Sequence, residues 1–302
     1  MLEVDMATRE LRSITGKHAP LDQIAKGLNF SEGPAWNSQT GEFFYTDIVG
    51  NAIWKWKEGE GHHVVMKPSR FANGLTFDKV GRLLVAGWGG RTVWRVELDG
   101  SHTTLVSRYR GMKLNSPNDI VVRSDGLVYF TDSFGALCNV GMGFEDVQRY
   151  MDFAGVFSVT PDGKRLRLVI PNMVYPNGLC FSPDEGLLYV NDSRLGLINV
   201  YSVRDDGTVG KGRVFYTAVG NESGIPDGMK CDVEGNVYCT GPGGIHIIAP
   251  NGKLLGRLRI PDHTTNIGWG DKGWHSLYIT TYHGVYRTRL RTAGIPVGSG
   301  FR

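Results

Sequence analysis

Two carboxylates and four carboxamides recur along this chain in one context, and together they have the chemistry of a hard-cation site. Glu32, Asn73, Asn118, Asn177, Asp227 and Asn266 each open a segment that alternates apolar and polar residues, turns, and alternates again. The copies read EGPAWNSQTGEFFYTD, NGLTFDKVGRLLVAGW, NDIVVRSDGLVYFTDS, NGLCFSPDEGLLYVND, DGMKCDVEGNVYCTG and NIGWGDKGWHSLYITTY. All six leading residues offer only oxygen, a set that suits a divalent cation. Without a cation, Glu32 and Asp227 would repel each other in a confined space, and one would be driven to keep its proton. For any one copy, an Asn or Asp bonding its own backbone after a turn is the plainer account. Six equivalent copies favour a shared site.

What must position these residues is a repeat. The copies begin 41, 45, 59, 50 and 39 residues apart, a period of propeller blades. Turn residues at the centre of each copy (SQTG, DKVG, RSDG, SPDEG, DVEG, GDKG), flanked by period-2 alternation, mark a β-hairpin. A third strand follows in AIWKWKE, TVWRVELDG, GVFSVTPDG, INVYSVRDDG, GIHIIAPNG and GVYRTRL. The expected fold is all-β, a six-bladed β-propeller with four-stranded blades. LDQIAKGL, ahead of Glu32, is expected to close the ring as the outer strand of the last blade. Residues 1–302 then form one domain, with the propeller core at about 22–290. Residues 134–155 form an inserted loop over one end of the channel, with a turn of helix expected around Phe144 to Tyr150.

The rest of the composition narrows the functional classes. With 33 Lys and Arg against 30 Asp and Glu, and no dense basic run, nucleic acid is not an expected partner. No run of 18 apolar residues suggests a membrane span, and MLEVDMATRELRS lacks the apolar stretch of a secretory signal, so a soluble cytoplasmic protein is expected, a monomer or weak homo-oligomer. The four cysteines form no CxxC and are expected to be buried free thiols, with Cys231 and Cys239 candidates to face each other across a hairpin. The chain has no GxSxG, HExxH or GxxxxGK[ST], so serine hydrolase, zincin and P-loop plans lack their anchors.

SEGPAW at Ser31 to Trp36, SPNDIVV at Ser116 to Val122, YPNGLCFSPD at Tyr175 to Asp184 and IPDGMKCD at Ile225 to Asp232 resemble the regucalcin and gluconolactonase family. That family also includes diisopropyl fluorophosphatase and other bacterial lactonases. The resemblance runs from about residue 22 to 290. It implies metal ligation by Glu32, Asn177 and Asp227, with Asn118 as a fourth ligand or a contact to water or substrate. Asp227 inherits a second role, general base or nucleophile. One divalent ion is implied, calcium first, with zinc, manganese, magnesium or ferrous iron as alternatives. Ser116 stands where animal regucalcin carries a sugar-binding arginine before the blade-three asparagine, so the substrate's identity stays open.

The resulting expectation is hydrolysis of a small lactone or related ester. The metal would act as Lewis acid on the carbonyl, with Asp227 as base to the attacking water. The same ligands would also suit a phosphotriesterase, and a non-catalytic metal- or ligand-binding propeller is a third reading. Residues after each second strand should ring the same mouth, which makes Trp88, Phe134, Arg194, Tyr282 and His283 substrate-binding candidates beside Asn118. Asp132 and Asp192 are expected to hold neighbouring loops or ligands, whereas His62 and His63 are expected to be solvated.

Overall fold

Each hairpin forms where its turn chemistry predicts. Gly126, in the RSDG turn, adopts φ 91°, a conformation in which a side chain would be strained. The computed structural model describes residues 1–138 and 146–297. Within them, six antiparallel four-stranded sheets follow one another along the chain, five with their strands in sequential order; a fifth strand joins one of them, and Arg108–Tyr109 pairs with Met112–Lys113 in a separate two-stranded ribbon.

The innermost strands are Ser31–Asn37, Leu75–Phe77, Ser116–Val122, Pro176–Phe181, Met229–Cys231 and Thr264–Gly270. Blade six is completed from the N-terminus: Asp22–Lys26 pairs with Gly284–Arg289, Asp22 opposite Arg287 and Gln23 opposite Tyr286. At that seam Phe43 of blade one stacks on Tyr278 of blade six, ring centroids 4.1 Å apart and 10° from parallel. An aromatic pair of this kind contributes about 1 kcal/mol beyond the area it buries.

A second strap comes from residues ahead of the predicted core. Glu3–Asp5 adds the fifth strand to blade five, with Glu3 opposite Arg259, and the Asp5 carboxylate accepts from Arg257 and Arg259. A short helix, Arg9–Thr15, follows, its first turn capped by the Thr8 hydroxyl. Leu11 and Ile14 of this helix are buried with Leu258, Ile267 and Trp269 of blades five and six.

Three expectations need correction. Residues 146–150 are not helical, and Phe144 lies outside the described residues; the insertion's helix is instead Gly135–Cys138, directly after the second strand of blade three. Cys138, at its end, is exposed, while Cys180, Cys231 and Cys239 are buried and free as expected. Nor do Cys231 and Cys239 face each other: Cys231 pairs with Val237, and Met229 with Cys239. The hairpin is two residues out of the register that would set the thiols directly opposite each other. Among the described residues no helix is long and apolar enough to cross a membrane.

Candidate functional site

The six oxygen-bearing residues occupy the same structural position in every blade. Each lies at the start of an inner strand, where hairpin pairing is interrupted: between Glu32 and Ala35, Pro117 and Ile120, Pro176 and Leu179, and Thr264 and Asn266. In blades two and five the ladder begins only at Leu75 and Met229, past Asn73 and Asp227. Such irregularities re-aim side chains next to functional sites.

Glycine after the oxygen residue lets neighbouring blades touch. A Cβ at Gly33 would lie 2.2 Å from the Asn73 carbonyl, and one at Gly178 would lie 2.1 Å from that of Asp227. The result is a tight ring in which Glu32 is 2% exposed and Asp227 9%. Asn73, Asn118, Asn177 and Asn266 are buried beside them.

The backbone of Asp227 is anchored on both sides. Its amide donates to Thr240 Oγ1 at 2.9 Å, and its carbonyl accepts from Asn191 Nδ2 at 2.5 Å. Asn177 Nδ2 donates to Ser193 Oγ at 3.0 Å. Glu32 Oε2 accepts from Gly33 N at 2.7 Å and from Asn266 Nδ2 at 2.8 Å.

Electrostatically, the carboxyls oppose one another. Burial pushes Glu32 up to about 7, and repulsion from Asp119 adds to this, against the lowering pull of Gly33, Asn266 and Lys230. Burial, then repulsion from Glu32 and Asp119, raises Asp227 well above the usual carboxylate range, while Asn177 pulls it down. Carboxyls in this condition either keep a proton or accept a cation in its place. Among the described residues Asn73 Oδ1 is buried with no hydrogen-bond partner, a further oxygen for such an ion. Among the described residues no three His, Cys, Asp or Glu side chains are grouped so as to hold a metal by themselves. A cation here therefore needs the amide oxygens. The donor set fits a hard ion.

Asp119 is the buried carboxylate beside this ring that sequence reasoning missed. Four copies of the repeat place Gly after the oxygen residue; in blade three that place is Asp119. Its amide donates to Thr131 Oγ1 at 3.0 Å, and its carboxylate lies 3.6 Å from Lys230 Nζ, which reaches it from blade five. A carboxylate where four of its five equivalents are glycines was the available signal.

The mouth sorts the remaining candidates. Tyr282 stacks on His263 at 4.3 Å and lies 4.8 Å from Phe30, close enough to Asp227 to feel its charge. His263 was not anticipated. His283 is exposed and meets Asp262 at 3.2 Å. Phe134 and Arg194 share one cleft with Tyr175. Trp88 is buried, packed with Ile48 and Ala136 beneath the insertion. Asp192 accepts from the amides of Val174 and Tyr175, and Asp132 from that of Asn115. Both brace the loop leading into their own blade. His62 and His63 are exposed.

A family model described as the SMP-30/gluconolactonase/LRE-like region matches residues 30–283. The gluconolactonase of Zymomonas mobilis is 33% identical over 308 residues, spanning 94% of this chain and 85% of that protein. A pentonolactonase of Haloferax volcanii is 24% identical, spanning 86% and 84%. Among solved structures, a gluconolactonase from Xanthomonas campestris superposes with a TM-score of 0.87 at 30% identity, covering 95% of this chain and 94% of that one. A calcium-binding regucalcin from Agrobacterium tumefaciens gives 0.75 at 17% identity, covering 93% and 98%, a likeness of fold. On this evidence the chain belongs to the SMP-30/gluconolactonase/LRE-like family.

Proposed function

We propose that this family member is a metal-dependent lactonase that opens a small lactone, of the sugar-lactone kind or a related ester, at the mouth of the channel. The observation that carries this reading is the buried opposition of Glu32, Asp119 and Asp227 at the strand starts, in a chain whose relatives are a gluconolactonase and a pentonolactonase.

Glu32, Asn177 and Asp227 would hold one divalent ion, with Asn118 as fourth ligand or as a contact to water or substrate. When bound, the ion supplies Lewis-acid polarisation of the carbonyl and stabilises developing negative charge. Asp227 takes the proton of the attacking water. Its basicity is modest once it faces a cation, so it acts through proximity, and its backbone, fixed to Thr240 and Asn191, maintains that placement. Tyr282, with Phe30 and His263 against it, offers a flat wall for the ring of the substrate.

The test is a pH-indicator screen of aldonolactones and simple γ- and δ-lactones beside a phosphotriester. It uses chelated protein with add-back of calcium, zinc, manganese, magnesium or ferrous iron. Lactone turnover that disappears on chelation and returns with one ion is expected. Turnover that survives full chelation would remove the metal from the mechanism, and a preference for the phosphotriester would replace the substrate class.

A further inference from the structure

The rim over blades three and four carries charge opposite in sign to the acidic floor. A cleft of about 470 Å³ there is lined by Phe134, Arg149, Asp152, Asn172, Tyr175 and Arg194, among others. Arg149 comes from the insertion. Its guanidinium lies over the Phe134 ring at 3.7 Å from the centroid. Nε donates to the Met151 carbonyl at 3.0 Å and Nη2 to that of Asp152 at 2.6 Å. Nη1 makes no hydrogen bond among the described residues. Arg194 approaches the same cleft from blade four, its guanidinium 5.9 Å from the centroid of Tyr175.

Neither guanidinium forms an ion pair among the described residues. By contrast, Arg82, Arg123, Arg257 and Arg287, which tie strands and turns together, are each paired with a carboxylate. Counting Asp152, the cleft keeps a net positive charge. It also adjoins the reacting end of the channel, because Tyr175 lies two residues before Asn177. Tyr175 feels the charges of both Asp227 and Arg194. Guanidinium forks match the planar oxygens of a carboxylate or the face of a phosphate, whereas a neutral polyol gains little from two guanidiniums that form no ion pair among the described residues.

We propose that this cleft is an anion subsite, in which Arg149 and Arg194 receive a carboxylate or phosphate carried by the lactone at a carbon remote from its carbonyl. The inference rests on the lactonase reading and narrows its substrate class to acidic lactones. The two arginines then orient the substrate: they draw its anionic tail to the rim, leaving the carbonyl at the floor.

The experiment compares kcat/KM for D-glucono-1,5-lactone, D-glucaro-1,4-lactone and 6-phospho-D-glucono-1,5-lactone. The proteins are wild type, Arg149→Ala, Arg194→Ala and the double variant. Wild type is expected to prefer one acidic lactone, and which one it prefers separates carboxylate from phosphate. Each single variant should lower the acidic-to-neutral ratio on the order of tenfold, mainly through KM. A wild-type preference for the neutral lactone, or an unchanged ratio in the double variant, overturns the subsite while leaving the lactonase reading standing.

Should no lactone be turned over, calorimetric titration of D-glucarate and 6-phospho-D-gluconate against D-gluconate decides separately. A preference for the doubly acidic ligands that the double variant loses supports the subsite, and equal binding of all three overturns it. If an alanine variant melts well below wild type, Arg149→Gln and Arg194→Gln are read in its place.

Discussion

The six inner strands present opposite chemistry at their two ends. Where they start stand Glu32, Asn73, Asn118, Asn177, Asp227 and Asn266, buried and interrupting the ladder. Where they finish, Trp36, Phe77, Val122, Phe181, Cys231 and Trp269 line an apolar cavity of about 100 Å³, against which Ile295 and Val297 also pack. One ring of strands thus holds a set of mutually repelling carboxyls at one end and a set of packed rings at the other. Burial at the apolar end offsets the instability of opposed carboxyls at the polar end. Lys230 links the two: it lines the apolar cavity and reaches Asp119.

The largest effect expected from this division is on catalysis. Asp227→Asn should lower kcat by roughly 10²–10⁴-fold. It should also raise the melting temperature of the cation-free protein, because it removes one of the opposed carboxyls. Steady-state kinetics beside thermal melts check both halves, and full activity in this variant would end the assignment of Asp227.

Trp269→Ala acts on the other end. Trp269 is 4% exposed and packs edge-on against Tyr238 at 5.1 Å, so the truncation should cost about 3–5 kcal/mol in denaturant unfolding. The kcat of the molecules that remain folded should stay near wild type. A kcat loss comparable to that of Asp227→Asn would show that the two ends are not separable.

Asn191→Ala removes the donor to the Asp227 carbonyl. The buried carbonyl left without a partner should cost about 1–3 kcal/mol. The cation concentration giving half-maximal activity should rise severalfold, measured by add-back titration. If stability falls while cation affinity stays fixed, the latch holds the blade alone.

The smallest effect is on pH dependence. With Glu32 raised from 4.5 to about 7, and Asp227 raised too, the cation-free folded protein binds more protons than the unfolded chain across that window. Stability should therefore fall as pH rises through it. Saturating cation should flatten the slope. Burial also pushes Asp132 up to about 7, and it braces a loop, so its smaller slope of the same sign should persist with or without the ion. Melts from pH 5 to 8 in chelator and in calcium test this, and equal slopes in the two would place the raised carboxyls away from any cation site.

Much of the molecule was written in local pattern. Turn residues and period-2 alternation specify each hairpin from within about 17 residues of chain, and six copies leave a propeller as the arrangement that buries every hairpin's faces. The oxygen residue opening each copy was visible for the same reason. LDQIAKGL could be assigned to the last blade because that blade lacked a fourth strand. By contrast, the cysteine pairing failed on a two-residue shift of register, which sequence spacing does not resolve.

What the sequence by itself determined is the repeat and the set of oxygens at its strand starts, because both are encoded within single hairpins. Only the tertiary structure decided which side chains meet across blades. It set Asp119 into repulsion with Glu32 and Asp227 and brought Lys230 to Asp119. It stacked His263 on Tyr282, and it turned Arg149 toward the cleft that Arg194 shares. Those contacts join residues of different repeats or of the insertion, and their geometry is set by ring closure and loop packing, for which no local pattern carries the information.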